Sequence, residues 1–445
     1  MGLLSLSEHF TYSKLCRFTF PSIVMMIFTS VYGVVDGIFV SNFVGKTPFA
    51  AVNLIMPFVM VFGAIGFMIG SGGSALVSKT LGEGNTKRAN ELFSMLVYLS
   101  ILLSVVLSVV AIVLMEPIAI LLGAEGEMVG YCVTYGRILM TSLTPFVLQY
   151  VFQSFFITAE RPTLGLLVTV AAGLTNITLD AVFVAGLNWG LEGAAAATVI
   201  SQFVGAIIPL VYFRLPNTCT LKLTRTKFDA KAIFQTCTNG SSELMTNISI
   251  SLVNMLYNVQ LIRFAGEDGV AAYGVIMYVN FIFIGVFVGY SIGSAPIVGY
   301  HFGAQNHDEL KSLFSKSLVL LGGASLVLTV LAELLAGLLA GIFVSYDLAL
   351  LEMTRRGFRI YSVAFLMMGF NIFASAFFTA LNDGLVSAFL SFLRTLVFQI
   401  AAVLILPIFL ELDGVWWSIA AAEGVALVVS GICFWKFSGK YHYLD

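Results

Sequence analysis

From residue 18 to residue 435 the chain alternates long apolar runs with short polar breaks. Twelve runs approach or exceed the roughly 20 residues that a helix needs to cross a bilayer. They are 18–41, 49–78, 92–115, 131–157, 163–185, 191–213, 240–262, 270–300, 315–343, 357–381, 385–409 and 415–435. Each is predicted as a helix, because an open strand edge leaves backbone groups unsatisfied in lipid. Composition agrees. Of 445 residues, 59% are hydrophobic and only 10% charged, and mean hydropathy is +0.98. So little polar surface cannot cover a soluble globule.

The pattern occurs twice. Residues 43–94 and 264–315 align without a gap at an offset of 221. Identical pairs include Phe43/Phe264, Gly45/Gly266, Ala51/Ala272, Met56/Met277, Gly72/Gly293, Gly82/Gly303, Asn85/Asn306 and Phe93/Phe314. At offset 222, Ser154-Phe155-Phe156 faces Ala376-Phe377-Phe378, and Arg137 faces Arg359. The predicted fold class is therefore all-α integral membrane: twelve transmembrane helices in two six-helix lobes related by an internal repeat. The expected division is an N-lobe over 1–213, a linker over 214–239 and a C-lobe over 240–445. Secondary transporters are built this way, with the substrate site between the repeats.

Charge sets the direction. With the N-terminus inside, fifteen of the 22 Lys and Arg fall in cytoplasmic segments. Four (Lys46, Arg263, Arg355 and Arg356) fall outside, and Arg137, Arg359 and Arg394 fall in spans. That bias predicts both termini inside, so the repeats run parallel. The stretch 214–238 holds five Lys/Arg against Asp229 and reads as a cytoplasmic linker. Arg137 and Arg359 read as snorkelling or helix-pairing groups. The formal net charge of −2 points to no nucleic-acid partner. Five cysteines without a CxxC pair read as free thiols. The four histidines show no metal-ligand spacing, and no metal is expected. The polar first seventeen residues, followed by a long apolar run, do not read as a cleaved signal.

Asp36, Asp180, Glu243, Glu333 and Glu423 fall inside spans. An acid at a helix centre costs about 2.5–3.5 kcal/mol on insertion scales, so each needs a reason. Asp36 and Asp180 lie near the outer ends of two spans that both rise from the inside. Asn176 is one turn from Asp180 on the same helical face. Thr198 and Tyr135 enter at the same level. The repeat aligns Asp36 with Tyr257, Asp180 with Ala402 and Asn176 with Phe398. The scaffold is duplicated at these positions and the acids are not, which favours function over shared packing. Buried neighbouring carboxylates can hold a proton near neutral pH or share a monovalent cation through oxygen ligands. Glu243 suits a helix N-terminus, and Glu333 and Glu423 suit pairing roles.

Pro21 sits on the helix carrying Asp36, where a bend can link ion binding to shape. Candidate cavity residues are Met25, Met56, Gln149, Gln153, Asn254, Tyr257, Asn258, Met277, Asn280, Met368 and Asn371. Methionine-rich surfaces adapt to varied apolar ligands. Gly289-Tyr290-Ser291-Ile292-Gly293 matches a nucleophile-elbow pattern but lies in a membrane helix, where its glycines read as packing. Residues 73–80 lack the second glycine of a phosphate loop. No ATP-hydrolysing domain accompanies the spans, so an ion gradient is the expected energy source.

The chain resembles the MATE family, the multidrug and toxic compound extrusion antiporters, over essentially its whole length. The resemblance rests on Val34-Val35-Asp36-Gly37-Ile38-Phe39-Val40-Ser41 and on Thr175-Asn176-Ile177-Thr178-Leu179-Asp180. It rests also on Gly82-Glu83-Gly84-Asn85 and its partner Gly303-Ala304-Gln305-Asn306. It implies an antiporter, not an enzyme, that exchanges H+ or Na+ for amphipathic, often cationic, compounds without a cofactor. It implies Asp36, Asn176, Asp180 and Thr198 as cation-site residues, with Tyr135 in support. The chain looks most like the bacterial branch, which implies the lipid of the cell inner membrane; a monomer is expected. Some relatives carry a second acid site in the C-lobe. Span 10 here offers Asn371 and no buried carboxylate, and whether Glu243 forms such a site stays open. The alternatives are a lipid-linked precursor flippase of the same superfamily, which wants a basic cavity, and a membrane-embedded enzyme, for which no nucleophile–base set is evident. The natural substrate and the choice of coupling ion are not legible.

Overall fold

The computed structural model describes residues 4–444 except 45, 345 and 346, and omits the side chains of Ile38, Ser41, Asn42 and Lys46. Gly45 of the repeat, and the Ile38 and Ser41 side chains of the span 1 motif, lie outside the described residues.

The described residues are helical, joined by turns and one extended linker, with no strand among them. Spans 1 to 3 are Tyr12–Phe43, Lys46–Gly82 and Thr86–Val113. A short helix, Met115–Leu121, leads to span 4. Span 4 is two helices, Glu127–Thr141 and Leu143–Thr158, bent by 54°. Span 5 is Pro162–Asp180 continued by a π-helix, Ala181–Gly186, and span 6 is Gly190–Arg214. Spans 7 and 8 share the helix Ala230–Gly303, broken where Gly266 takes φ 62°. Span 9 is His307–Val344. Span 10 repeats the bend of span 4, with Leu348–Ser362 and Phe365–Ala380 at 49°. Span 11 runs from Gly384–Phe392 through a π-helix, Leu393–Val397, into Phe398–Tyr441. Glu411, at φ 51°, separates it from span 12. Twelve spans result among the described residues, making this an integral multi-pass membrane protein.

The duplication reaches the backbone. Positive φ recurs at repeat-equivalent turns: Gly84 and Gln305, Glu160 and Asn382, Gly190 and Glu411. Asn85 Oδ1 accepts from Arg88 N at 3.0 Å, and Asn306 Oδ1 from Glu309 N at 3.1 Å, so each copy caps its next helix alike. Buried apolar side chains form two main clusters. One lies in the first half, between Val40 and Ala232. The other is built from the second half and takes in Leu6, Phe10, Leu15, Phe18 and Met25.

Span 7 begins ten residues earlier than its apolar run. Asp229 caps the helix at Ala230, accepting from Ala232 N at 3.1 Å. That bond, with the Arg88 guanidinium beside it, holds the Asp229 carboxyl below the usual carboxylate range. Polar first-turn residues are invisible to a hydropathy count. The preceding linker is laid along span 3: Lys222 N donates to Asn90 Oδ1 at 2.6 Å and Thr224 N to Ser94 Oγ at 2.8 Å.

The halves meet closely at the end that carries this linker. A methyl group built on Gly82 would lie 1.9 Å from the Tyr300 carbonyl oxygen, and one on Gly303 would lie 2.0 Å from that of Lys79. Gly82 aligns with Gly303 and Lys79 with Tyr300, so the contact is symmetric about the repeat. Towards the other end, Gly33, Gly37 and Gly274 face open space. The N-terminal segment bridges the halves at the closed end. Leu6 N donates to Glu160 Oε1 at 2.7 Å, while Phe10 N donates to Glu309 Oε1 at 2.8 Å. His9 Nδ1 is 2.5 Å from Glu309 Oε2.

Backbone cannot yield to a methyl group as a flexible side chain can. Gly303→Ala is expected to destabilise the closed arrangement by about 1–3 kcal/mol, the usual range for overpacking. Thermal unfolding in detergent checks this; an unchanged midpoint would mean that the two helices can part without cost.

Candidate functional site

Two charged clusters lie among the apolar helices, one in each half. The first is built on spans 1, 4, 5 and 6. Asp180 is fully buried, Asn176 and Tyr135 are nearly so, and Asp36 is half-buried. Asp36 faces Asp180 and Asn176 closely enough for the three side chains to interact, and Tyr135 stands beside both carboxylates. Asn176 Nδ2 reaches towards Thr198 Oγ1 at 3.5 Å. Thr198 in turn donates to Ala194 O at 3.1 Å. Asp180 sits at the junction of α- and π-helix, where the widened turn displaces the following residues; such insertions recur at functional sites. Asp36, Asn176, Asp180, Thr198 and Tyr135 therefore come together, although they are spread over 163 positions of sequence.

This cluster is short of donors. Both Asp180 carboxylate oxygens and Asp36 Oδ1 are buried without a hydrogen-bond partner. Leaving such acceptors unpaired is costly unless a proton or cation joins them. The donor set is all oxygen (carboxylate, amide and hydroxyl), which suits a proton or a hard monovalent cation.

The second half carries a cluster of its own, which corrects the expectation that Asn371 of span 10 has no buried carboxylate to meet. Glu423, 1% exposed, is gripped by Arg394, whose Nε lies 2.9 and 3.0 Å from its two oxygens. Asn371 Nδ2 donates to Glu423 Oε2 at 2.7 Å, and Ser430 Oγ donates to Asn371 Oδ1 at 2.9 Å. Asn371 of span 10 thus does meet a buried carboxylate, one supplied by span 12. Arg394 lies in the π-helix of span 11. Repeat alignment misses the cluster because its members do not align with Asp36, Asn176 or Asp180.

Arg394, Glu423 and Glu243 line a partly open cavity of about 210 Å³ in the second half. Of the candidate cavity residues, Asn254, Tyr257, Met277, Asn280 and Met368 line it. Tyr257 Oη donates to Gln399 Oε1 at 3.1 Å, and Tyr273 Oη to Asn254 Oδ1 at 2.8 Å. Met25, Met56, Gln149, Gln153, Asn258 and Asn371 lie outside its lining. Met25 packs in the second-half core, and Met56 packs against the first-half core. Gln149 lies against Gly205, and Gln153 Nε2 is 3.4 Å from Thr169 Oγ1. Glu333 accepts from Ser362 Oγ at 2.7 Å and lies 3.8 Å from Arg359, a helix-to-helix pair. Arg137 Nε donates to Ile112 O at 3.2 Å.

Two duplicated six-helix units, each with a buried charged cluster, are the architecture of secondary transporters. The comparisons agree. The MatE family model matches residues 21–182 and 244–405, once in each half. The multidrug export protein MepA of Staphylococcus saprophyticus is 22% identical over 421 residues, covering 94% of this chain and 92% of that protein. A solved outward-facing conformation of a multidrug resistance MATE family transporter of the MOP superfamily superposes with a TM-score of 0.92 at 23% identity, covering 97% of each chain. A MOP superfamily transporter from Pyrococcus furiosus, described as having a binding pocket of reverse polarity that suggests a different function, superposes at 0.90 with 22% identity, again over 97% of each chain. The chain belongs to the MATE family.

Removing one partner of a buried ion pair costs about 3–5 kcal/mol, because the other is left charged and alone. Arg394→Gln is expected to lose stability on that scale, and combining it with Glu423→Gln to recover most of the loss. Thermal unfolding of the three proteins checks this; equal midpoints for the single and double variants would contradict the pairing.

Proposed function

We propose that this protein is a cation-coupled antiporter, driven by H+ or Na+, that exports amphipathic and often cationic compounds by alternating access. The observation that carries this reading is the pair of donor-starved carboxylates, Asp36 and Asp180, inside the first half. On this reading the lobes are 1–213 and 240–445, the linker 214–239 and both termini are cytoplasmic, and the protein works as a monomer in the lipid of a bacterial inner membrane.

The mechanism follows from charge. Loading the cluster with a proton or cation removes the repulsion between Asp36 and Asp180 and draws spans 1 and 5 together. Span 1 also packs against span 8, where Gly289 lies against the backbone of Ile23. A shift of span 1 is thereby felt by the other half. An ion moves such an equilibrium only by its difference in affinity for the two states. Ion and exported compound must therefore weaken each other's equilibrium binding by the same factor. MepA of Staphylococcus saprophyticus, by its description, exports multiple drugs, which supports the same substrate class here. A flippase for a pyrophosphate-linked lipid would want a basic cavity. Arg394 alone among the cavity-lining residues is a Lys or Arg, and Glu423 and Glu243 outnumber it.

Everted vesicles holding the protein should accumulate a cationic dye under one gradient, proton or sodium, imposed alone. Asp36→Asn and Asp180→Asn should each abolish that accumulation at unchanged expression and thermal midpoint. Wild-type rates in either variant would refute the coupling role.

Topology has its own test. In a cysteine-free background, Lys227→Cys, exposed on the linker, should react with an impermeant maleimide only after the cells are opened. Labelling of intact cells would invert the lobes.

A further inference from the structure

Arg394 has only part of its guanidinium committed. Its Nε is spent on Glu423, and among the described residues neither Nη atom has a hydrogen-bond partner. The side chain is 15% exposed and lines the cavity, whereas Glu423 behind it is 1% exposed. The planar fork of a guanidinium fits a carboxylate. Glu243 lines the same cavity from span 7 with no hydrogen bond to its carboxyl group among the described residues, close enough to feel the charge of Arg394. The cavity therefore presents an unfilled donor fork beside an unfilled acceptor. A plain cation satisfies Glu243 but leaves the Nη donors of Arg394 unfilled, and a plain anion meets the reverse. A molecule bearing both charges satisfies both. Tyr257 and Tyr273, stacked at 5.3 Å with their planes 5° apart, and both with anchored hydroxyls, add a rigid aromatic wall.

We propose that the cavity of the second half is a subsite for zwitterionic aromatic amphiphiles, in which Arg394 receives the carboxylate and Glu243 the cationic group. This rests on the export reading above and narrows its substrate class. Arg394 acts here as a specificity residue. Its engagement with Glu423 keeps the guanidinium aimed into the cavity, and the π-helical turn sets its direction.

The test uses a carboxy-rhodamine and its methyl ester. In their open forms both carry the same xanthylium cation, and only the free acid adds a carboxylate; the xanthylium absorbance band confirms that the acid has not closed to its neutral lactone. Binding to the full-length protein in lipid nanodiscs is read by fluorescence polarisation. Wild type should bind the acid more tightly than the ester by about tenfold, equivalent to roughly 1.4 kcal/mol. Arg394→Lys keeps the charge but loses the fork, and should reduce that ratio. Arg394→Gln combined with Glu423→Gln removes both charges of the pair and should bring the ratio to one or below. Equal binding of acid and ester by wild type, or an undiminished ratio in Arg394→Lys, would overturn the proposal. Should the double variant fail to fold, the lysine variant still decides. Export by wild-type vesicles separates the two readings. Transport of both dyes with no affinity difference sinks only the zwitterion subsite, whereas transport of neither dye under either gradient sinks the antiport reading.

Discussion

The cost of holding charge inside hydrocarbon governs this molecule more than any single packing contact. An ionised side chain in that medium must find a partner, reach the interface or lose its charge. The two halves resolve this differently. The second half matches Glu423 with Arg394 and Asn371, and every strong acceptor on that carboxylate is answered. The first half sets Asp180 against Asp36 and leaves both Asp180 oxygens and Asp36 Oδ1 without donors. A satisfied network resists change because any rearrangement breaks bonds already made. An unsatisfied one is open to whatever ion can complete it. The first is suited to standing still, and the second, on the proposed antiport reading, to changing state.

Such divergence is possible because duplication fixed the backbone and left the side chains free. The turns at Gly84 and Gln305, at Glu160 and Asn382 and at Gly190 and Glu411 hold the same unusual φ in both copies, though the residue type differs in each pair. The bends of spans 4 and 10 differ by only 5°. The π-helical turns do not correspond. In the first half the π-helix follows Asp180 towards the end of span 5; in the second it lies inside span 11 and holds Arg394. Local backbone departures from the shared plan thus coincide with the two charged clusters.

This explains what the sequence discloses. Asp36 and Asp180 stand out because an acid in a long apolar run is conspicuous, and the missing counterparts at Tyr257 and Ala402 mark them further. Twelve spans follow from run length, and the repeat pairs them. Arg394 and Glu423 are each visible, but their pairing is not: they lie 29 positions apart on two different spans, and no periodicity announces a π-turn. The N-terminal segment is hidden for the opposite reason. Leu6 and Phe10 are fully buried, yet two apolar residues in a polar stretch carry no pattern that a hydropathy reading can register.

That segment connects the clusters to the shape of the whole. Its residues 5–10 touch Glu160 at the foot of span 4 and Glu309 and Lys316 at the foot of span 9, so it is fastened to both halves at the end where Gly82 and Gly303 meet. It runs directly into span 1, which carries Asp36 at its far end. Span 1 is thus tethered at its foot to both halves, packed along its lower length on span 8 and charged near its top. Parting the halves at the closed end has to break the Glu160 or the Glu309 attachments as well as the glycine contact. On the proposed antiport reading, an ion bound beside Asp36 would act on the same helix. One continuous element therefore carries both the closed-end fastening and the donor-starved carboxylate, and no separate relay between them has to be invoked.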